Sequence, residues 1–594
     1  MTTEPATGPS RVEHATDPAR SAVVPTPRTT PEPEQPRATP ESERPEAPPI
    51  RKRLRWLPRY TWSGISGALL LGLGSFTPSL LPRGWLIQGL IAGISAAIGY
   101  GLGVAAAWFV RAVTDRRPSP AVRRRAWQVL AVLGTTVGIV MLWLGRRWQT
   151  EIHVLMELEA PAAYTVGGTV AVALLAFAAF VGIGRLVRRV ARGLTRLAGR
   201  ILPPKLARPL AVVVATLLVI FVVNGVLFQG VVELSNSAFS VKDGGTAEGV
   251  VRPTASERSG SPDSLVPWDD LGLQGRNFVG KGPTPEQLSD FSGRPAVEPV
   301  RAYAGLASAG DVAERAALAV RDLERAGGFD REVLVVATTT GTGWVDPAAS
   351  DSLEYVMNGD SAMVAMQYSY LPSWLSFLVD QAKARDAGRA LFDAVYGVWA
   401  DLPAAGRPQL LVFGESLGTF GGEAAFSGEA DIRNRTDGVL WAGPPNFNEL
   451  WRGFVADRAP GTPEWLPVYD DGRTVRFADE APDLDRPTGP WDDPRVVYLQ
   501  NASDPIVWWT PRLLLGRPDW LEGERGPDVS PGMSWMPVVT FWQVTADLVF
   551  STGVPDGHGH KYASDYADGW ASVVQPPGWT DADTERLRQL IGSS

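Results

Sequence analysis

The chain has 594 residues, a net charge of −8, four histidines and no cysteine. Its length exceeds that of a typical single domain, so more than one structural unit is expected. The lack of cysteine excludes disulfides, thiolate metal sites and a cysteine nucleophile. The basic clusters lie beside apolar stretches without interleaved aromatics, which argues against nucleic-acid binding.

Residues 1–50 hold twelve prolines and almost no large apolar side chain, too little apolar surface to offset chain entropy, and read as a disordered tail. No short charged, apolar and small-residue signal opens the chain, so a cleaved secretory peptide is not expected. Residues 51–239 read as a transmembrane domain. Five apolar stretches, at 61–81, 85–110, 126–144, 164–184 and 209–232, have the length to cross about 30 Å of hydrocarbon at about 1.5 Å per residue. Ser75, Thr77 and Pro78 interrupt the first, which also reads as a kinked or re-entrant segment. Arginine is concentrated at 51–59, 111–125 and 185–208, and loops of that kind stay on the cytoplasmic side. Five spans starting inside place everything after Val232 outside the cytoplasm. No Asp, Glu or Lys sits mid-span, so an anchor is favoured over a lipid-binding or transport role.

Residues 240–300 are rich in Gly, Pro, Ser and Asp and read as a linker and irregular lead-in. From 301 to 594 the pattern alternates. An amphipathic helix is predicted over 311–325, strands over 333–337, 362–367, 410–413, 438–441 and 496–499, and a long helix over 374–399. Short apolar strands separated by helices predict a parallel sheet covered on both faces, an α/β fold. Two stretches dense in Pro, Gly, Asp and Trp, 443–494 and 510–533, read as insertions over the carboxyl ends of the strands, in the manner of a lid.

Gly414-Glu415-Ser416-Leu417-Gly418 follows a predicted strand and leads into a helix. Its glycines allow the sharp turn that exposes a nucleophilic serine, so Ser416 is assigned that role. A serine hydroxyl needs a base to take its proton and a carboxylate to orient that base. His14 falls in the tail and His153 beside the membrane, leaving Gly557-His558-Gly559-His560. His558 is preferred, as the residue at the tip of a Gly-His-Gly turn, with His560 as the alternative. Asp504, directly after the last predicted strand, is the expected acid and Asp547 the reserve. The oxyanion donors are expected from the backbone of Leu417 and, in the run 338–344 after an early strand, of Thr339. That Gly-Thr run lacks the following Lys and Ser/Thr of a phosphate-cradling loop. No cofactor or metal is implied.

Gly341-Thr342-Gly343-Trp344, the Ser416 pentapeptide, Gly443-Pro444-Pro445, Ser503-Asp504-Pro505 and Gly557-His558-Gly559-His560 together resemble a known group. Its members are actinobacterial membrane proteins with an α/β-hydrolase catalytic domain behind a multi-span N-terminal domain. The resemblance covers the chain from about Tyr60 onward and implies a Ser, His, Asp hydrolase in the cell membrane. The reading is a membrane-anchored esterase or lipase acting on membrane lipids or an acylated envelope substrate, and Trp508-Trp509 suggest an apolar acyl pocket. Acyl transfer to an envelope acceptor is the second reading. A noncatalytic scaffold or transport accessory, using the fold as a binding module, is the rival from another class.

Overall fold

The computed structural model describes residues 60–160, 162, 165–200 and 203–592. The expected tail, His14 and the basic stretch 51–59 lie outside these residues. The N-terminal part comprises α1 (Trp62–Gly74), α2 (Trp85–Thr114), α3 (Pro120–Leu155), α4 (Thr165–Ala198), α5 (Pro204–Ile220), a π-helical segment (Phe221–Phe228) and α6 (Gln229–Asp243). Three helices among the described residues, α2, α3 and α4, are long and apolar enough to cross a membrane, where five had been expected. The first expected span stops after the 13 residues of α1, because Ser75 turns its hydroxyl back to Gly72 O and Pro78 follows. The fifth falls across the junction of α5 and the π-helical segment, so no regular α-helix there reaches spanning length.

The directions of these helices fix which ends meet the C-terminal part. The loop before α2 contacts it through Gln543 Nε2, which donates to Thr77 O at 2.9 Å. Near the end of α3, Glu151 accepts from Ser530 Oγ at 2.8 Å. α4 begins beside the first turns of α2, where a Cβ on Gly89 would lie 2.7 Å from Thr169 O. The arginine-rich turn between α2 and α3 and the arginine-rich end of α4 therefore lie at the opposite ends of the helices.

Seven parallel strands form one sheet: β1 (Val300–Ala304), β2 (Val333–Thr338), β3 (Ser361–Met366), β4 (Gln409–Glu415), β5 (Gly438–Ala442), β6 (Val475–Ala478) and β7 (Arg495–Leu499), in the order β1-β3-β2-β4-β5-β7-β6. Alternate side chains enter two cores. Leu334 and Val336 of β2 join one, and Val333, Val335 and Ala337 the other. This is the α/β class expected.

Both edge strands escaped the sequence reading, because each carries an arginine in place of an apolar residue. Arg301 of β1 is buried against Glu354 and Asp351, both at 2.6 Å. Arg476 of β6 donates to Gly472 O, Leu484 O and Gly489 O. The helix expected over 374–399 is two, Ser373–Val379 and Gln381–Asp401, broken at Asp380, whose carboxylate accepts from Ser369 Oγ at 2.5 Å. Within 240–300, Leu271, Phe278, Val279 and Leu288 are core residues. Residues 510–533 also fill space instead of standing off as a lid. Leu513, Trp520, Leu521 and Met533 are buried, and Gly532 lies against Trp148 and Pro78.

Candidate active site

β2, β4, β5 and β7 end level with one another, pairing Thr338 with Gly414, Glu415 with Ala442 and Ala442 with Leu499. Loops leaving this carboxyl edge thus converge. β4 runs into Ser416 and then directly into the helix Leu417–Glu423. Ser416 sits at φ 54°, ψ −126°, a conformation that costs an L-residue roughly 1–3 kcal/mol and persists only where the surroundings impose it. They do. Its N–H donates to Ala442 O at 2.9 Å, and a Cβ on Gly418 would lie 2.2 Å from Thr338 O. Only glycine lets the helix start that close to β2, which is the physical content of the pentapeptide.

Asp504 follows β7 and caps the short helix Pro505–Trp508, Oδ1 accepting from Ile506 N–H at 2.8 Å. Oδ2 accepts from Tyr562 Oη and from Nδ1 of His560, both at 2.6 Å. A carboxylate can only accept, so Nδ1 of His560 carries the proton and Nε2 is the free base. Nε2 makes no hydrogen bond among the described residues and lies 4.0 Å from Oε1 of Glu415, the neighbour of Ser416.

The structure separates the two candidate histidines: Nδ1 of His558, the preferred base, pairs with Asp528 Oδ2 at 3.0 Å, and Asp504 meets His560, the alternative. Gly557 and Gly559 both have positive φ, which turns the chain between the two histidines. His560 then lies over Gly443, where a Cβ would stand 2.3 Å from its Cε1. Asn501 Nδ2 donates to Gly559 O and Lys561 O, and Ser503 Oγ accepts from Gly559 N–H, clamping the loop to the end of β7.

Asp547, the reserve acid, serves elsewhere. Its Oδ2 accepts from Ser79 Oγ, and Arg83 Nε approaches Oδ1, which makes no hydrogen bond among the described residues, to 3.8 Å.

Leu417 is the first residue of its helix, so its N–H has no intrahelical acceptor. The tight contact at Gly418 sets this turn against Thr338 and Thr339. Thr339 is fixed by Oγ1 donating to Met366 O at 2.8 Å, and the Thr340 N–H is committed to Trp344 O.

Sequence reasoning missed several groups around the site. Burial, reinforced by the nearby Asp346 carboxylate, pushes the Glu415 carboxyl well above its ordinary range, and Tyr566 Oη donates to it at 2.9 Å. Burial likewise pushes Asp346 up to about 6. The Tyr562 hydroxyl is raised by burial and by Asp504, and stays a donor. Glu415 occupies a variable position of the pentapeptide and Asp346 opens a helix behind the Gly-Thr run, so no pattern marked either.

Trp508 belongs to the core, between Trp451 and Trp520, its indole N–H donating to Ala502 O. Trp509 instead joins Phe377, Phe447 and Phe420 in a run of ring contacts that reaches the Ser416 helix. Among the described residues no group of three or more His, Cys, Asp or Glu side chains is arranged to hold a metal ion.

Residues 300–587 match a family model described as the alpha/beta-hydrolase family, and residues 76–283 match one described as the N-terminus of an alpha/beta-hydrolase family. No curated protein and no solved structure matches the chain.

Proposed function

The chain belongs to an α/β-hydrolase family, and from that premise we propose that it is a membrane-anchored serine hydrolase cleaving carboxylic esters. One observation carries this reading: a serine held at positive φ on a strand-to-helix turn, in the same buried cluster as an Asp504–His560 pair whose Nε2 is unengaged. Ser416 Oγ attacks the acyl carbonyl as His560 Nε2 takes its proton, and Asp504 holds the imidazole in the required tautomer. The N–H groups of Leu417 and Thr339 receive the oxyanion. His560 returns the proton to the departing alkoxide, and water repeats the sequence on the acyl-enzyme.

A neutral Glu415 suits this cycle, because an ionised carboxylate beside Nε2 would hold the imidazolium and slow the proton's return. The aromatic run from Phe420 to Trp509 offers an apolar wall for an acyl chain. The helix directions support an extracytoplasmic catalytic domain, since the arginine-rich ends that belong in the cytoplasm lie away from it. Hydrolysis of p-nitrophenyl esters of graded chain length by the purified full chain tests the reading. Turnover is expected and should fall by about a thousandfold or more in Ser416→Ala. Equal turnover by wild type and variant would refute it.

A further inference from the structure

A cleft of about 410 Å³ opens where the first turns of α2 and α4 meet the last turns of α3, on the side of the catalytic domain. Phe76 and Trp85 form apolar wall, while Arg83, Gln149, Arg146 and His153 bring polar groups to it. Arg83 is only 7% exposed. Its Nη2 donates to Thr77 O at 3.3 Å, and its backbone N–H donates to Gln149 Oε1 at 2.8 Å. Nε stands 3.8 Å from Asp547 Oδ1, beyond hydrogen-bond reach. Nε and Nη1 therefore make no hydrogen bond among the described residues. Asp547 Oδ2 accepts from Ser79 Oγ, while its Oδ1 makes no hydrogen bond among the described residues either. Arg83 is thus ion-paired with Asp547 without a hydrogen bond between them. A buried guanidinium with two unbonded donors is costly unless an acceptor meets them, and Arg146 adds a cation with no ion pair among the described residues.

We infer that this cleft binds the phosphate of an anionic amphiphile, with Arg83 and Arg146 on the phosphate and the apolar wall against the chains. A guanidinium presents a donor fork that fits phosphate oxygens, and basic pockets between membrane helices suit lipid head groups. The site is separate from the Ser416 centre and stands whether or not that centre hydrolyses esters.

The test is native mass spectrometry of the full chain in non-ionic detergent, with phosphatidylglycerol, phosphatidylcholine or inorganic phosphate as probe. Phosphatidylglycerol should be retained in preference to phosphatidylcholine, and Arg146→Gln, a change at an exposed position, should weaken it about tenfold. Arg83→Gln should weaken it further where the variant folds. Displacement of the lipid by inorganic phosphate would assign the site to free phosphate, and its absence to a lipid head group. Equal retention of both lipids, or no effect of Arg146→Gln, would overturn the inference.

Discussion

Two histidines two residues apart illustrate what a sequence can and cannot say about a site. Composition narrowed the base to His558 or His560, and chain order put Asp504 ahead of both. Which imidazole meets the acid depends on two left-handed glycine turns and on the missing Cβ of Gly443, a contact more than a hundred residues away in the chain. Ser416 was legible because its neighbours must be small; Glu415 and Asp346 were not, because burial creates their character. Glu423, on the same helix, shows the thermodynamic side of such burial. It is pushed from 4.5 up to about 7, chiefly by desolvation, while accepting from Tyr498 Oη and Leu450 N–H. A raised carboxyl contributes stability that is fully present below pH 4.5 and is lost as pH rises through about 7. Glu423→Gln should therefore flatten the dependence of the thermal midpoint on pH between 4.5 and 7, and raise the midpoint at pH 8 relative to wild type. Parallel wild-type and variant curves would contradict this.

At the scale of elements, the central strands were readable as apolar runs and the edges were not, since Arg301 is buried through carboxylates some fifty residues away and Arg476 through loop carbonyls that no apolar pattern marks. The same limit hid the junction between the loop 75–84 and the helix Val539–Asp547. There Leu80 and Leu81 are fully buried, each worth roughly 1.5–3 kcal/mol, and Asp547 gathers the turn they form. A Cβ on Gly559, next to His560, would lie 3.3 Å from Leu81 Cδ2, so this loop also backs the histidine. Asp547→Ala removes the acceptor and leaves Arg83 buried beside no carboxylate, at a cost of about 3–5 kcal/mol. A clear fall in the thermal midpoint of the solubilised protein is expected; an unchanged midpoint would show that the junction is incidental.

Taken as a whole molecule, the described chain from Tyr60 onward is one compact unit, which the apolar stretches alone did not reveal. Ile152 and Met156 of the α3 end, with Leu80 and Leu81, belong to the same core as β4 and β7. A fragment of residues 240–594 should accordingly be aggregation-prone and at least about tenfold less reactive than the full chain toward an ester substrate, because it exposes the surface those side chains cover; a stable, fully active fragment would reduce the N-terminal helices to a tether. The central claim is that Ser416 is the nucleophile and His560 its base. Fluorophosphonate labelling of the full chain in membranes tests it most directly: wild type and His558→Ala should label, while Ser416→Ala and His560→Ala should not. Labelling that survives Ser416→Ala, or that His558→Ala abolishes and His560→Ala spares, would contradict the account.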